Sequence, residues 1–330
     1  MAPLLRPKSR PELAVKAFGL TLPSPVALAA GFDKNAEHLD GLFGLGFAAV
    51  EIGTVTARPQ PGNPKPRLFR LPADEAVVNR MGFNNDGAEV VAERLAAWRE
   101  SGRHRHAVVG ANIGKNKDTE LHAADADYRF AAERLAPFAD YVVINVSSPN
   151  TPGLRELQAG EALVPLVEAT REGLTAAGRS EIPLLVKIAP DVNESQLAEI
   201  VEVASAHGLA GLIATNTTVS REGLVTSPEQ LEAVGDGGIS GRPLTTRSRD
   251  VLRRLRELSG GELALVSAGG ISDAAEVATR LSLGAAFTQV YSGFIYGGPT
   301  WPMRVLRNLE STDRRAPKTV NHLEEASSLD

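Results

Sequence analysis

The chain has no cysteine. Disulfides, thiolate metal sites and any cysteine nucleophile or base are excluded on that count. Histidine is scarce too, with six in 330 residues and none at metal-ligand spacing. His104 and His106 stand two apart in a basic loop, and the others are isolated. No metal site is expected from this set. Arg99, Arg103 and Arg105 read as a solvated surface. There is no basic excess: the net charge is −5, which argues against nucleic acid as the main partner. No apolar run reaches the ~18 residues of a membrane-spanning helix. The opening MAPLLRPKSRPEL breaks every apolar stretch with Pro or Arg, so it is no signal peptide. Neither GxxxxGK[ST] nor a strand feeding GxGxxG is present, which argues against P-loop and dinucleotide sites. Repeats and low-complexity segments are also lacking.

What is present is a normal core complement, 43% hydrophobic. At this length the chain is one large domain or two small ones. Eight short runs rich in Val, Ile and Ala occupy residues 25–30, 47–53, 107–113, 141–146, 183–188, 211–215, 263–268 and 286–291. They do not alternate apolar with polar, as expected for strands buried on both faces of a parallel sheet. Helix-like segments lie between them at 36–45, 88–101, 123–136, 162–177, 194–207, 246–258 and 273–283. Asn193 and Ser272 stand where helix caps belong. Eight strands alternating with helices predict an α/β fold, a (β/α)₈ TIM barrel.

Two connections exceed the ~2–6 residues of a simple βα loop. Residues 54–85 follow strand 2 and residues 216–244 follow strand 6. Both leave the strand ends where barrel active sites form, so both are expected to act as lids. Residues 13–22 read as a short N-terminal hairpin. The division expected is a 1–23 segment with that hairpin, a 24–310 barrel and a polar 311–330 tail.

The strand ends place polar groups around one mouth: Gly31-Phe32-Asp33-Lys34, Gly53-Thr54, Asn112, Asn145, Lys187, Thr215-Asn216-Thr217, Gly269-Gly270 and Tyr291-Ser292. Any one of these alone also reads as a backbone cap; the whole ring points to a site. Gly269-Gly270 and Tyr291-Ser292 follow strands 7 and 8, where barrels commonly hold a phosphate. Lys187 sits in an apolar run, a costly place unless an anion or several acceptors receive it. A structural ion pair, a Schiff-base lysine and a cation facing a charged cofactor are the readings open for it. Asn79, Asn84, Asn85, Asn145, Asn150 and Asn216 both donate and accept, which suits a ring with alternating C=O and N–H groups. The fourth run ends Asn145-Val146-Ser147-Ser148-Pro149-Asn150, which delivers hydroxyl and amide groups into a Pro-braced turn.

The segments AAGFDKNAE, EIGTVTARPQPGNPKPRLFRL, NRMGFNN, NIGKNKDT, NVSSPNTPGLRELQ, VKIAPD, ATNTT, GGISGRPL and AGGI with YSGFIYGGP resemble dihydroorotate dehydrogenase, the FMN enzyme of pyrimidine synthesis. The resemblance runs from about Phe18 to Pro299. Class 1 members place a cysteine at the catalytic base; quinone-linked class 2 members place a serine. With no cysteine available, the resemblance is to class 2 and Ser148 takes the base position.

The resemblance implies FMN across the mouth, held by Ala30, Gly31, Phe32, Asp33, Lys34, Thr54, Asn112, Asn145, Lys187, Thr215, Gly241, Gly270, Tyr291 and Ser292. It implies substrate contacts from Lys34, Asn79, Arg80, Met81, Gly82, Phe83, Asn145, Asn150, Asn216 and Thr217. Oxidising dihydroorotate to orotate removes a proton from C5 and a hydride from C6. Lys187 would face the charge gathering at flavin N1 and O2. Ser148 is a weak base alone, and Thr151 with a water is the expected relay. A quinone is the implied electron acceptor, and a peripheral seat on the cytoplasmic side of the membrane the implied location. Class 2 members usually carry two amphipathic helices before the barrel. About seventeen residues precede Phe18-Gly19-Leu20 here, too few for both, so a truncated start or another quinone route is expected, with a cytoplasmic location if the short start is genuine. Another FMN barrel oxidoreductase, or a flavin-binding remnant without quinone turnover, are the alternative readings.

Overall fold

In this computed structural model the described residues are 10–102, 107–158 and 160–313. Residues 1–9, the basic stretch 103–106, Ala159 and the residues from 314 lie outside them. The eight apolar runs become eight parallel strands closed into a barrel. In chain order these are β3 (Val26–Leu28), β4 (Ala49–Val55), β7 (Val108–Ile113), β8 (Tyr141–Asn145), β9 (Leu184–Ile188), β10 (Gly211–Ala214), β12 (Ala264–Ala268) and β13 (Ala285–Val290). The remaining strands are β1 (Val15–Ala17), β2 (Leu20–Leu22), β5 (Leu68–Leu71), β6 (Ala76–Asn79) and β11 (Gly238–Gly241).

Each barrel strand has two apolar faces because each face meets a different core. On β8, Val142 and Ile144 join the outer cluster with the helices, while Tyr141 and Val143 join the inner one. Each such fully buried aliphatic side chain contributes roughly 1.5–3 kcal/mol. The outer cluster is completed by α1 (Leu39–Gly44), α2 (Ala88–Glu100), α3 (Ala124–Leu135), α4 (Val164–Ala176), α5 (Glu194–Ala206), α7 (Thr245–Leu258), α8 (Ala274–Ser282), α9 (Ser292–Gly297) and α10 (Trp301–Asp313).

The expected helix at 36–45 is shorter, since Asp33 accepts from the N–H groups of Glu37 (2.9 Å) and His38 (2.8 Å) and holds the chain in a loop until Leu39. Asn193 caps α5 in a reciprocal capping box with Gln196. The cap of α8 is Asp273 rather than Ser272: its carboxylate accepts from Glu276 N at 2.9 Å, and Ser272 only donates to Asp273.

The hairpin of β1 and β2 plugs the end of the barrel where the strands start. Phe18, at its turn, packs its ring against Tyr141 (5.5 Å) and Phe287 (5.9 Å), and Ala17 and Leu22 enter the inner cluster. At the opposite end the two insertions do not form separate lids. They share one antiparallel sheet in the order β11-β6-β5, with Gly238 opposite Asn79 and Gly241 opposite Ala76. This roof has its own small core of Leu71, Ala76, Val78 and Ile239. The second insertion also carries α6 (Pro228–Val234), capped by Ser227.

Candidate active site

Strand period two decides what the barrel shows its mouth. Stepping inward along β8 gives Tyr141, Val143, then Asn145; along β9, Leu185, then Lys187; along β13, Phe287, then Gln289. Apolar residues therefore fill the lower layers and polar ones the upper. Above them lies a cavity that opens at the barrel mouth and is lined from most of the strand ends.

The cavity gathers most of the expected residues from distant parts of the chain. Ala30, Gly31, Lys34 and Thr54 line one side, and Lys187, Thr215, Asn216 and Thr217 another. Asn145, Ser148 and Asn150 come from the end of β8, and Gly241, Gly270, Tyr291 and Ser292 from the later strands. Asn79, Met81, Gly82 and Phe83 hang from the roof.

Five expected residues do not line it. Phe32 is partly exposed, packed against Tyr291 and Phe294. Asp33 caps the loop before α1. The Arg80 guanidinium lies over Phe69 and donates to the carbonyls of Val234 (2.5 Å) and Asp236 (2.9 Å), bracing the roof. Asn112 stands behind the wall, accepting from Thr54 Oγ1 (2.5 Å) and Asn145 Nδ2 (3.2 Å). Thr151 is buried in the turn after Ser148.

The Asn145–Asn150 turn is held from several sides. Asn145 Nδ2 donates to Thr54 Oγ1 at 2.7 Å, and its Oδ1 accepts from Ser147 Oγ at 2.8 Å. Asn216 Nδ2 donates to Ser147 Oγ at 2.9 Å. Arg155 donates to the carbonyls of Ser147 (3.0 Å) and Thr217 (2.8 Å), tying the turn to the second insertion. Ser148 Oγ accepts from the N–H of Asn150 at 3.2 Å. Asn150 Nδ2 in turn donates to Asn79 Oδ1 in the roof at 3.2 Å.

Two lysines give the cavity positive charge. Lys34 is half-buried and donates to Asn84 Oδ1 at 2.7 Å. Burial pulls its pKa from 10.5 down to about 8, and the Arg67 charge pulls the same way. Lys187 is buried, which lowers its pKa, while the Glu51 carboxylate 3.8 Å away pushes it back up. The ion-pair reading of Lys187 is thus present, and so is its exposure to the cavity.

Glu51 and Gln289 are the residues sequence reading missed. Both face inward by the same two-residue step that places Lys187, and that alternation was the available signal. Among the described residues no His, Asp and Glu cluster could hold a metal.

The match of a dihydroorotate dehydrogenase family model to residues 12–312 decides the relationship. The chain belongs to the dihydroorotate dehydrogenase family. This family is flavin-dependent. Dihydroorotate dehydrogenase (quinone) of Nocardioides sp. is 55% identical, covering 93% of this chain and 88% of the relative. The enzyme of that name from Thermobifida fusca is also 55% identical, over 92% and 81%. Among solved structures, dihydroorotate dehydrogenase of Eimeria tenella in complex with ferulenol superposes with a TM-score of 0.87 at 41% identity. That likeness covers 95% of this chain and 88% of the Eimeria chain.

Proposed function

We propose that this dihydroorotate dehydrogenase oxidises (S)-dihydroorotate to orotate in pyrimidine synthesis, with FMN as its flavin and a quinone as the final acceptor. The observation carrying this reading is the meeting of Ser148, Lys34, Lys187 and the Asn79–Asn150 pair around one cavity in a member of this family. Another flavin barrel activity is not favoured, because relatives 50–55% identical over about nine-tenths of the chain share one name.

The residues present fit FMN. Gly241, Gly269 and Gly270 have φ of +100°, +96° and +74°, so backbone rather than side chain lines that part of the mouth. A Cβ on Gly270 would fall 2.4 Å from Thr245 Cα. Gln289 Oε1 is buried without a hydrogen-bond partner among the described residues, an acceptor suited to a ring N–H. Bound there, FMN would supply the two-electron acceptor that the oxidation needs.

The remaining chemistry belongs to the chain. Ser148 would take the C5 proton. The N–H of Asn150 on its Oγ favours negative charge there and leaves the serine proton free to depart. Thr151, buried in the same turn, is the proposed onward relay. Lys34 would meet the substrate carboxylate, and Asn79, Asn145, Asn150 and Asn216 would hold its ring. Lys187 would stand as the cation beneath the flavin. The roof would exclude water, which strengthens each of these interactions. Residues 24–310 form the proposed flavin-binding unit.

Anaerobic mixing tests the reading: dihydroorotate should bleach the flavin of the native protein. Ser148→Ala should retain FMN and orotate but slow bleaching about 10²–10⁴-fold. Bleaching at the native rate in Ser148→Ala would remove that serine from the mechanism. A peripheral membrane seat is proposed from the quinone acceptor; among the described residues no helix is long and apolar enough to cross a membrane. Flotation with liposomes checks it; protein left at the bottom of the gradient would count against it.

A further inference from the structure

We propose that Glu51 is a positioning residue for the reaction, setting both the charge and the place of Lys187 at the cavity floor. This rests on the flavin reading above. Glu51 is fully buried in the middle of β4, where an isolated carboxylate is strongly disfavoured. Its oxygens are met from four other strands: Asn112 on β7 (2.9 Å), Tyr141 on β8 (3.3 Å), Lys187 on β9 (3.8 Å) and Gln289 on β13 (2.5 Å). Such convergence holds the carboxylate in place beneath the mouth without giving it a place in the lining. Lys187, by contrast, lines the cavity.

The pair is therefore layered, with the anion below, the cation above it and the ligand space above both. A purely structural pair would gain nothing from exposing its cation to the cavity. At 3.8 Å the contact is longer than a close hydrogen bond, so the ammonium keeps N–H groups to offer upward. Burial lowers the Lys187 pKa, and the Glu51 carboxylate opposes that shift. Tyr141 stays a phenol, because burial raises its pKa well above the ordinary value and Glu51 adds to the effect. The facing Asn112 and Gln289 are neutral, and Lys34 is the other cation lining the same space. Glu51 is thus the facing group that raises the Lys187 pKa against the effect of burial.

The test uses Glu51→Gln, Glu51→Asp, Lys187→Met and the Glu51→Gln/Lys187→Met double variant. In flavin-free protein, thermal unfolding is followed against pH. In Glu51→Gln the folded protein should shed the Lys187 proton at lower pH than the native protein does. Its stability deficit should then shrink as pH rises, because the unfolded lysine keeps its proton up to its ordinary pKa. That trend should vanish in the double variant. In the flavin-loaded protein, the Glu51→Gln bleaching rate should fall about tenfold per pH unit above a new, lower pKa. Glu51→Asp should restore much of the native profile.

A Glu51→Gln deficit constant across pH, or a rate profile merely scaled from the native one, would overturn the proposal. If Glu51→Gln fails to fold, Glu51→Asp carries the test through its partial effect: its rate profile should break at a lower pH than the native one, and an unmoved break would overturn the proposal. If native protein is not bleached by dihydroorotate, the activity reading fails, while the unfolding series still decides the pairing.

Discussion

Lys34 makes the proposed carboxylate contact open to a quantitative test through pH. Its ammonium is half-buried, and its pKa falls to about 8 through burial first and the Arg67 charge second. A group with that pKa is about nine-tenths protonated at pH 7 and about one-tenth at pH 9. If the orotate carboxylate needs the charged form, its affinity should fall about tenfold between those values. The sign is fixed: raising pH removes the cation, so binding weakens upward and never downward through this group. Binding an anion beside Lys34 should also raise its pKa, so orotate should take up protons near pH 8. Flavin absorbance titration gives the dissociation constant at each pH. Calorimetry in buffers of different ionisation enthalpy gives the proton uptake. Lys34→Met should bind orotate about 10–150-fold more weakly at pH 7, the worth of a hydrogen bond to a charged group at ~1.5–3 kcal/mol. It should also lose the pH dependence. Arg67→Gln should shift the break to higher pH. A dissociation constant that is flat from pH 7 to 9, or one that rises equally in Lys34→Met, would refute the assignment.

Gly110→Ala should destabilise the fold by about 1–3 kcal/mol or more, because the added Cβ would meet the Tyr141 ring at 2.1 Å, inside the barrel; a lower midpoint in chemical denaturation checks this. Arg280→Met should cost about 1.5–3 kcal/mol through loss of its charged hydrogen bond to Glu276, which Arg249 still holds. The same change removes one of the two donors on the Gly269 carbonyl, Arg280 at 3.0 Å beside Ser248 at 2.8 Å, so the variant should release FMN more readily on dilution, read by flavin fluorescence. Asn193→Ala should lower stability by about 0.5–2 kcal/mol through loss of the α5 cap, with bleaching rates unaltered.

The barrel was legible because doubly buried strands leave unmistakable apolar runs, and Tyr141–Asn145 and Leu184–Ile188 fall where those runs stood. The site was legible where chemistry sits at a strand end, as for Asn145, Ser148 and Lys187. Glu51 was hidden by its context: a carboxylate between Val50 and Ile52 looks like a strand residue until its facing partners on four other strands are known. The pairing of the insertions was hidden for another reason. Ala76–Asn79 and Gly238–Gly241 are four residues each, far apart in the chain, and short strands carry no mark of whom they pair with. Arg80 shows the cost of that blindness: its motif suggested substrate, while its guanidinium reaches Val234 and Asp236 of the other insertion.

The shared roof sheet makes the two insertions a single inherited part. Because β11 hydrogen-bonds β6, a segment swapped in from a relative at 54–85 would meet a mismatched edge unless 216–244 came with it. A nick in either loop would leave its strand held by the other. Any movement that admits substrate must carry β5, β6 and β11 together, so the doorway is governed by where both insertions join the barrel rather than by one flexible flap.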